Sequence, residues 1–136
     1  MAHAVLSASG SKRWLSCPPS ARLERQFPDK AGEAAQEGTL AHALAEARIR
    51  CWIGELSLRE LAVRTETIFR DPLYSPEMDG YVQAYVDLCI EKINEAQGVA
   101  LVEERLDFSR WVKHGFGTGD MVILGDGVAP PCGRVD

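Results

Sequence analysis

The sequence predicts an α+β fold, with a mainly helical part over residues 1–98 and a short β-sheet over residues 99–127. Two observations predict it. Within the helical part, apolar residues recur at steps of three and four, which is the period of an α-helix. After Gly98 the pattern changes to the alternation that is typical of a half-buried strand. The helices therefore occupy roughly the first two-thirds of the chain, and the strands follow them.

Size and charge limit the class of protein. The 136 residues, of which 46% are hydrophobic and 26% charged, suit one compact domain, and we expect residues 1–136 to form a single one. The formal net charge of −5 disfavours a protein that coats nucleic acid through bulk positive charge. A local basic patch, or a metal ion bridging an acid to a phosphate, stays compatible with that charge.

The cysteines and the apolar runs indicate a compartment. Cys17, Cys51, Cys89 and Cys132 lie far apart without a C-x-x-C pair, which argues against a disulfide scaffold and against a self-contained zinc site. No apolar run approaches the roughly 20 residues of a membrane span, and the N-terminus lacks the layout of a signal peptide. We therefore expect a cytoplasmic protein with reduced thiols and no membrane partner.

Three helices are predicted before residue 55. Serines ahead of Trp14 offer N-caps for a short helix that ends at Cys17-Pro18-Pro19, and Ser20 is expected to cap a second short helix that ends at Pro28-Asp29. A long helix is predicted from about Gly32 to Gly54. Its apolar side consists of Leu40, Leu44, Ala47 and Cys51.

Two more helices have clear start signals. Ser57 and Glu60 fit a capping box, and Ser75-Pro76-Glu77 combines a cap, a proline at the first helical position and an acid near the positive helix end. We expect the second helix to run from Ser75 to about Gln97, closed by Gly98. Its predicted core stripe is Met78, Tyr81, Val82, Tyr85, Cys89 and Ile93.

The predicted sheet contains two strands. In the first, Val102, Leu106 and Phe108 share one face, and Glu103, Arg105 and Asp107 share the other. The second is Met121–Leu124, followed by a turn over residues 125–127. Prolines in residues 128–136 make an irregular tail there the expectation. Because two strands are marginal alone, the sheet is expected to be incomplete: either the natural protein continues, or this tail replaces its continuation.

Asp120 and His42 are candidate metal ligands. Asp120 follows a glycine-rich approach to an apolar strand, where an acid is either held rigidly enough to bind a divalent cation or is an ordinary turn aspartate. His42 lies four residues after Gly38, on the same side of the helix. The glycine would let another backbone approach closely and leave the imidazole aimed at it. The alternative is a structural histidine.

Glu103 and Glu104 are adjacent in the first strand, so they cannot both point inward. Alternation places Glu104 beside Val102 and Leu106, and the alternative is a solvated pair. Basic and aromatic residues near the N-terminus are candidates for phosphate contacts and base stacking, or else form an ordinary charged helix surface. They are Lys12, Arg13, Trp14, Arg22 and Arg25. The sequence has no G-x-S-x-G elbow, Walker loop or dinucleotide fingerprint.

Four blocks of the sequence occur in an order that resembles a known family. They are Leu6–Leu23, Glu37–His42, Val102–Ser109 and Gly115–Asp120. The blocks resemble a phage and prophage family of RecB-like nucleases, usually catalogued as a domain of unknown function and similar to the PD-(D/E)XK nuclease superfamily. The resemblance runs from about Leu6 to Gly127. It implies a restriction-endonuclease-like core, here an incomplete one.

The resemblance also implies a site. The family's helical histidine falls on His42, its metal-binding aspartate on Asp120 and its strand glutamate on Glu103, although alternation favours Glu104 as the buried one. These side chains would bind Mg²⁺ or Mn²⁺ for the hydrolysis of phosphodiester bonds. The basic N-terminal helices would lie nearest the DNA, whether the substrate is single-stranded DNA or DNA ends.

The chain departs from this pattern in two places. The superfamily expects a strand with Asp/Glu-x-Lys, and that lysine is absent. Asp136 is either the metal-binding acid of a motif cut at that point or part of a truncated or frameshifted end. Relatives also place a cysteine matching Cys17 in an iron–sulfur cluster with three late cysteines. No such trio follows here, so we expect no cluster in this chain.

Two functions therefore stay open. The first is the N-terminal portion of a phage-type, metal-dependent DNA nuclease, encoded by a phage or prophage, acting in the bacterial cytoplasm and inactive or very weak in this form. The second is a non-catalytic interaction module that keeps the nuclease-like fold and binds a protein partner at an exposed sheet edge. Metal binding distinguishes the two.

Overall fold

The computed structural model describes residues 6, 10–27 and 32–125, and its mixture of helices and strands confirms the α+β prediction. The predicted turn at residues 125–127, apart from Gly125, and the tail at 128–136 lie outside the described residues. The elements of the described part are α1 (Ser11–Ser16), α2 (Ser20–Glu24), α3 (Glu33–Trp52), α4 (Leu58–Phe69), α5 (Pro76–Ala96), β1 (Val99–Asp107) and β2 (Phe116–Leu124).

The chain divides into two compact units. The first unit consists of residues 1–30 and 103–119, and the second of residues 31–102 and 120–136. The division falls inside both strands, between Val102 and Glu103 and between Gly119 and Asp120. No helix in the described ranges combines the length and the apolar character that crossing a bilayer requires.

The core of the second unit lies where α3 packs against α4 and α5. Leu44 and Ile49 of α3 are almost completely buried. Each such aliphatic side chain contributes about 1.5–3 kcal/mol when it leaves water. The buried core cluster is Leu44, Ala45, Ile49, Ile68, Met78, Val82, Val86, Cys89 and Val102.

The capping box predicted for α4 is confirmed. Ser57 Oγ accepts a hydrogen bond from the backbone N–H of Glu60, and the Glu60 carboxylate accepts one from the backbone N–H of Ser57 over 2.8 Å. These bonds lower the pKa of Glu60, because the Ser57 hydroxyl and then the Ser57 N–H stabilise the ionised carboxylate. The helix consequently begins at Leu58, with two of its free N–H groups paired.

The start of α5 is also confirmed, but part of its predicted stripe is wrong. Ser75 Oγ accepts from the N–H of Met78 over 3.1 Å, and Pro76 occupies the first helical position. Tyr81 is 70% exposed and Tyr85 39% exposed, so neither faces the core. Val86 takes that place, because steps of four, four, three and four residues keep a narrow line on one side of the helix. The buried line is Met78, Val82, Val86, Cys89 and Ile93.

Gly98 does not close α5 as predicted. The left-handed residue is Gln97, with φ of 48°, and its N–H donates to the carbonyl of Ile93. Gly98 is needed for a different reason: a Cβ there would lie 1.7 Å from the carbonyl oxygen of Leu124. Its lack of a side chain therefore lets the end of β2 approach the start of β1.

The predicted serine caps of α1 and α2 are wrong. Gly10 stands at the N-cap of α1 without a side-chain hydrogen bond, and Pro19 stands at that of α2. Because Pro19 already has helical φ and ψ, Ser20 is the first helical residue and does not have the extended conformation that a capping side chain needs. Its buried hydroxyl has no hydrogen-bond partner in the described structure. The predicted end of α1 before Cys17 is confirmed.

The sheet is an antiparallel pair of β1 and β2. In β1 Val102 is buried, Glu104 and Leu106 are half-buried, and Arg105 and Asp107 are exposed, so the predicted alternation is confirmed. Strand β2 begins at Phe116 rather than at Met121. The glycines between Phe116 and Asp120 are typical of a loop, which is why the sequence placed the start of the strand later. Pairing with β1 nevertheless holds this stretch as a strand. Asp120 thus lies within β2 and not at its entrance.

Candidate metal centre

His42 and Asp120 lie together on the surface of the second unit. His42 projects from α3 and Asp120 from β2, and His42 Nδ1 is 3.9 Å from Asp120 Oδ2. Their side chains are 58% and 55% exposed. An exposed pair of this kind contributes only about 0–1 kcal/mol to stability, and only while the imidazole is protonated. Holding the fold together is therefore a poor explanation for the pairing.

The position of His42 follows from the packing of α3. Leu44, Ala45 and Ile49 are buried in the core, and His42 is exposed, because it falls outside the buried side of the helix. The helix is also tied to the sheet, since Arg50 Nη2 donates to the carbonyl oxygen of Val102 over 2.9 Å. This bond fixes β1 against the helix that carries the imidazole.

Two carboxylates hold Arg50 in place. Arg50 Nε donates to Glu46 over 2.7 Å, and Nη1 donates to Glu55. Burial alone would lower the pKa of Arg50, but the two carboxylates outweigh burial and raise it. The guanidinium therefore stays charged and can donate to the carbonyl of Val102. Arg50 was not predicted as a functional residue, although the spacing of Glu46 and Arg50 is that of a helical ion pair.

Glu103 is the third predicted ligand. It follows Val102 directly in β1 and has a left-handed backbone, with φ of 54°. It belongs to the first unit, whereas His42 and Asp120 belong to the second. Glu103 is exposed, and Glu104 lies half-buried on the face of Val102. The neighbouring glutamates therefore point to different surroundings, as alternation requires.

The donor set fits a divalent cation. Atoms bound to one ion at about 2.0–2.2 Å lie at most about 4.4 Å apart, so the 3.9 Å between His42 and Asp120 is already within that limit. A carboxylate together with an imidazole suits Mg²⁺ or Mn²⁺.

The close backbone approach expected at Gly38 is wrong. A Cβ at this position would have nothing within 4 Å. The imidazole of His42 instead has the Asp120 carboxylate as its neighbour. Gly38 is therefore not what positions the histidine.

The other predicted site residues lie elsewhere or outside the described residues. Lys12 and Arg13 are exposed on α1, where Trp14 is half-buried, and Arg13 forms an ion pair with Glu24 over 3.2 Å. Arg22 and Arg25 are exposed on and just after α2. Together these side chains belong to the first unit.

Ligands were also predicted among the cysteines and in the C-terminal tail. Cys17 is an exposed free thiol between α1 and α2. Cys89 is buried in the core, and burial raises the pKa of its thiol. Asp136 and Cys132 lie outside the described residues.

Fold and site together define a mixed α+β protein that presents an imidazole on a long helix beside a carboxylate on a β-strand. The chain belongs to the family described as "Protein of unknown function (DUF2800)", whose sequence model matches residues 3–129. No solved structure matches the chain.

Proposed function

We propose that this chain carries the divalent-metal site of a phage-type DNA nuclease, which hydrolyses phosphodiester bonds in the bacterial cytoplasm. The observation that carries the proposal is the 3.9 Å separation of His42 Nδ1 and Asp120 Oδ2. Glu103 is the third ligand by the resemblance to the nuclease family. A helix and a strand far apart in sequence supply these ligands, and the pairing adds little to stability. Chemistry is therefore a better account of it than folding.

Each ligand has a defined role in this proposal. The carboxylates of Asp120 and Glu103 supply the negative charge that attracts Mg²⁺ or Mn²⁺, and neutral His42 donates an imidazole lone pair. When bound, the cation polarises a phosphoryl oxygen and lowers the pKa of an attacking water. The exposure of His42 and Asp120 leaves the site open to a phosphate group of a DNA strand.

The proposed ligands support weak metal binding rather than rapid cleavage. A nuclease of this chemistry also needs a group that orients or deprotonates the attacking water, for which the superfamily uses a strand lysine. The sequence contains no Asp/Glu-x-Lys. Positioning and general-base contributions are each worth orders of magnitude in rate. We therefore expect negligible DNA cleavage by these residues alone.

A second candidate is an interaction module that binds a protein partner by β-addition. The sheet in the described part of the chain has only the strands β1 and β2, so each strand offers an edge for pairing. Val99 at the start of β1 is 60% exposed. This function gives no reason for the pairing of His42 with Asp120, which is why we place it second.

Cleavage by a lengthened chain tests the proposed function. A strand carrying Asp-x-Lys is inserted after Leu124. Supercoiled and linear DNA are then incubated with the lengthened protein in Mn²⁺ or in a chelator. We expect metal-dependent cleavage that Asp120→Asn abolishes, because this change removes a charged ligand and keeps the shape of the side chain. Asp87→Asn, an exposed carboxylate on α5, is the matched control and should cut like its parent.

The opposite results would reject the nuclease. A lengthened protein that folds and binds metal but cuts no DNA would favour the interaction module. An Asp120→Asn variant as active as its parent would show that the activity does not use this site.

A further inference from the structure

We propose that the first unit binds an unpaired nucleobase of single-stranded DNA in an aromatic cavity; the choice of DNA rests on the proposed function. The cavity has a volume of about 300 Å³. Its main lining residues are Leu6, Trp14, Phe108, Trp111 and Val112, all within the first unit. Two of the three tryptophans of the chain thus face one small space.

The loop between β1 and β2 builds one wall of this cavity. The N–H of Phe108 donates to the carbonyl of Gly115 over 2.9 Å, and the N–H groups of Trp111 and Val112 both donate to the carbonyl of Phe108. Gly115 closes the loop tightly, since a Cβ there would lie 2.8 Å from the carbonyl oxygen of Val112. The backbone that carries Phe108 and Trp111 is therefore held by hydrogen bonds, which lowers the entropic cost of ordering the loop on binding.

A second anchor stiffens the same loop where it leaves β1. The carboxylate of Asp107 accepts a hydrogen bond from the N–H of Ser109 over 2.7 Å. This bond, together with one to the Ser109 side chain, lowers the pKa of Asp107. Both ends of the loop are thus fixed before any ligand arrives.

The lining is exposed, as in a site that binds a base, and is not buried, as in a protein core. Trp111 is 74% exposed although it is one of the largest apolar side chains in the chain. The guanidinium of Arg110 lies 5.8 Å from the centre of its ring, within the range of a cation–π contact. An accessible aromatic ring beside a cation is the arrangement that single-strand binding proteins use to stack a base and hold its phosphate.

The charge of the first unit supports an anionic ligand. Its described residues include seven lysines and arginines against four acids, although the whole chain has a net charge of −5. The basic residues are Lys12, Arg13, Arg22, Arg25, Arg105, Arg110 and Lys113. Positive charge is thus concentrated in the unit that contains the aromatic cavity, which is the combination that a nucleic acid strand requires.

The size of the cavity selects an unpaired base. Small-molecule sites have volumes of roughly 300–1,000 Å³, so this cavity stands at the lower end and suits one base rather than a base pair. Bases inside a duplex are stacked on both faces and are not available to a cavity of this kind. The expected ligand is therefore a single strand, or the unpaired end of a duplex.

Binding of a fluorescein-labelled oligomer of thymidylate, measured by fluorescence anisotropy in a chelator, tests the inference. We expect Trp111→Ala to weaken binding by about fivefold to a hundredfold, which corresponds to the loss of one stacked base. Trp111→Phe should retain most of the affinity because it keeps an aromatic face. Trp52→Ala is the control, since Trp52 is 46% exposed at the end of α3 in the second unit. Circular dichroism shows that each variant is folded.

Three results would overturn the inference: no binding by the parent, equal binding by folded Trp111→Ala, or a fully paired duplex bound as tightly as the single strand. Its failure is distinguishable from that of the proposed function, because the chelator removes any role for the metal. Oligomer binding without Mn²⁺ binding would reject the metal site alone. Mn²⁺ binding without oligomer binding would reject the aromatic cavity alone.

Discussion

The guanidinium of Arg50 donates a hydrogen bond to the carbonyl oxygen of Val102 over 2.9 Å, and so joins α3 to β1 one residue before Glu103. The side chain of Arg50 is only 24% exposed and is held by Glu46 and Glu55. This contact fixes the helix that carries His42 against the strand that leads to Glu103. It is the internal support of the candidate metal centre.

Removing this support should destabilise the protein. We expect Arg50→Met to lower the free energy of unfolding by about 1.5–3 kcal/mol, because the change removes charged hydrogen bonds and leaves Glu46 without its partner. Arg70→Met is the control: Arg70 is 76% exposed, and among the described residues its ion pair is with Glu66, so its loss should cost at most about 0.5 kcal/mol. Urea unfolding of both variants measures the difference. Equal stabilities would show that the bond to Val102 contributes nothing.

The buried line of α5 can be tested with one charge on each side of the helix. Val82→Asp places an unpaired carboxylate in the core, and we expect it to lower the free energy of unfolding by about 3 kcal/mol or more. Ala84→Asp, on the exposed side, should change it by less than about 0.5 kcal/mol. Thermal unfolding of both variants measures the difference in stability. An unchanged melting temperature for Val82→Asp would mean that the core face is wrongly assigned.

Two glycines should respond to alanine in opposite directions. Gly80→Ala adds a methyl group in open space within α5 and should stabilise the protein by about 0.5–1 kcal/mol, since alanine is the better helix former. Gly98→Ala would place its methyl group 1.7 Å from the carbonyl oxygen of Leu124. It should destabilise by about 1–3 kcal/mol, because the strand end must move. A stable Gly98→Ala protein would contradict the close approach of Leu124 to Gly98.

Local patterns predicted the helices well because local interactions form them. The capping box of Ser57 and Glu60 and the start of α5 at Ser75 are confirmed at the residues where the sequence placed them. The errors arise where tertiary contacts decide. Tyr81 and Tyr85 have the right spacing for the core, yet no element of the described structure covers that side of α5, so they stay exposed.

The same distinction holds for the site. Local patterns made His42 and Asp120 candidate ligands one by one. Only the order of four blocks that resemble a nuclease family joined them with Glu103 into one site, since no local pattern links a helix to a strand so far along the chain. The role of Gly98 was also hidden, because its neighbour Leu124 belongs to a distant strand. The role of Arg50 could not be predicted either, because its hydrogen-bond acceptor on the distant strand is a backbone carbonyl, which has no signature in a sequence.

The lowered pKa of Glu60 predicts a pH dependence of stability. Because the folded pKa lies below the ordinary value of 4.5, the contribution of this carboxylate is present above that value and is lost as the pH falls through the folded pKa. We expect Ser57→Ala to move the pKa of Glu60 back up, since the hydroxyl is the largest cause of the shift. A pH titration followed by NMR at the Glu60 carboxyl carbon measures this. An unchanged pKa in Ser57→Ala would contradict the capping geometry.

The central claim is that His42 and Asp120, with Glu103, bind a divalent cation. Mn²⁺ binding, followed by the loss of the free-ion signal in electron paramagnetic resonance, tests it most directly. We predict one weakly bound ion per chain, an affinity at least about tenfold lower in Asp120→Asn, and an unchanged affinity in the control Asp87→Asn. If the parent binds no Mn²⁺, or if Asp120→Asn binds it as tightly as the parent, the group is not a metal site.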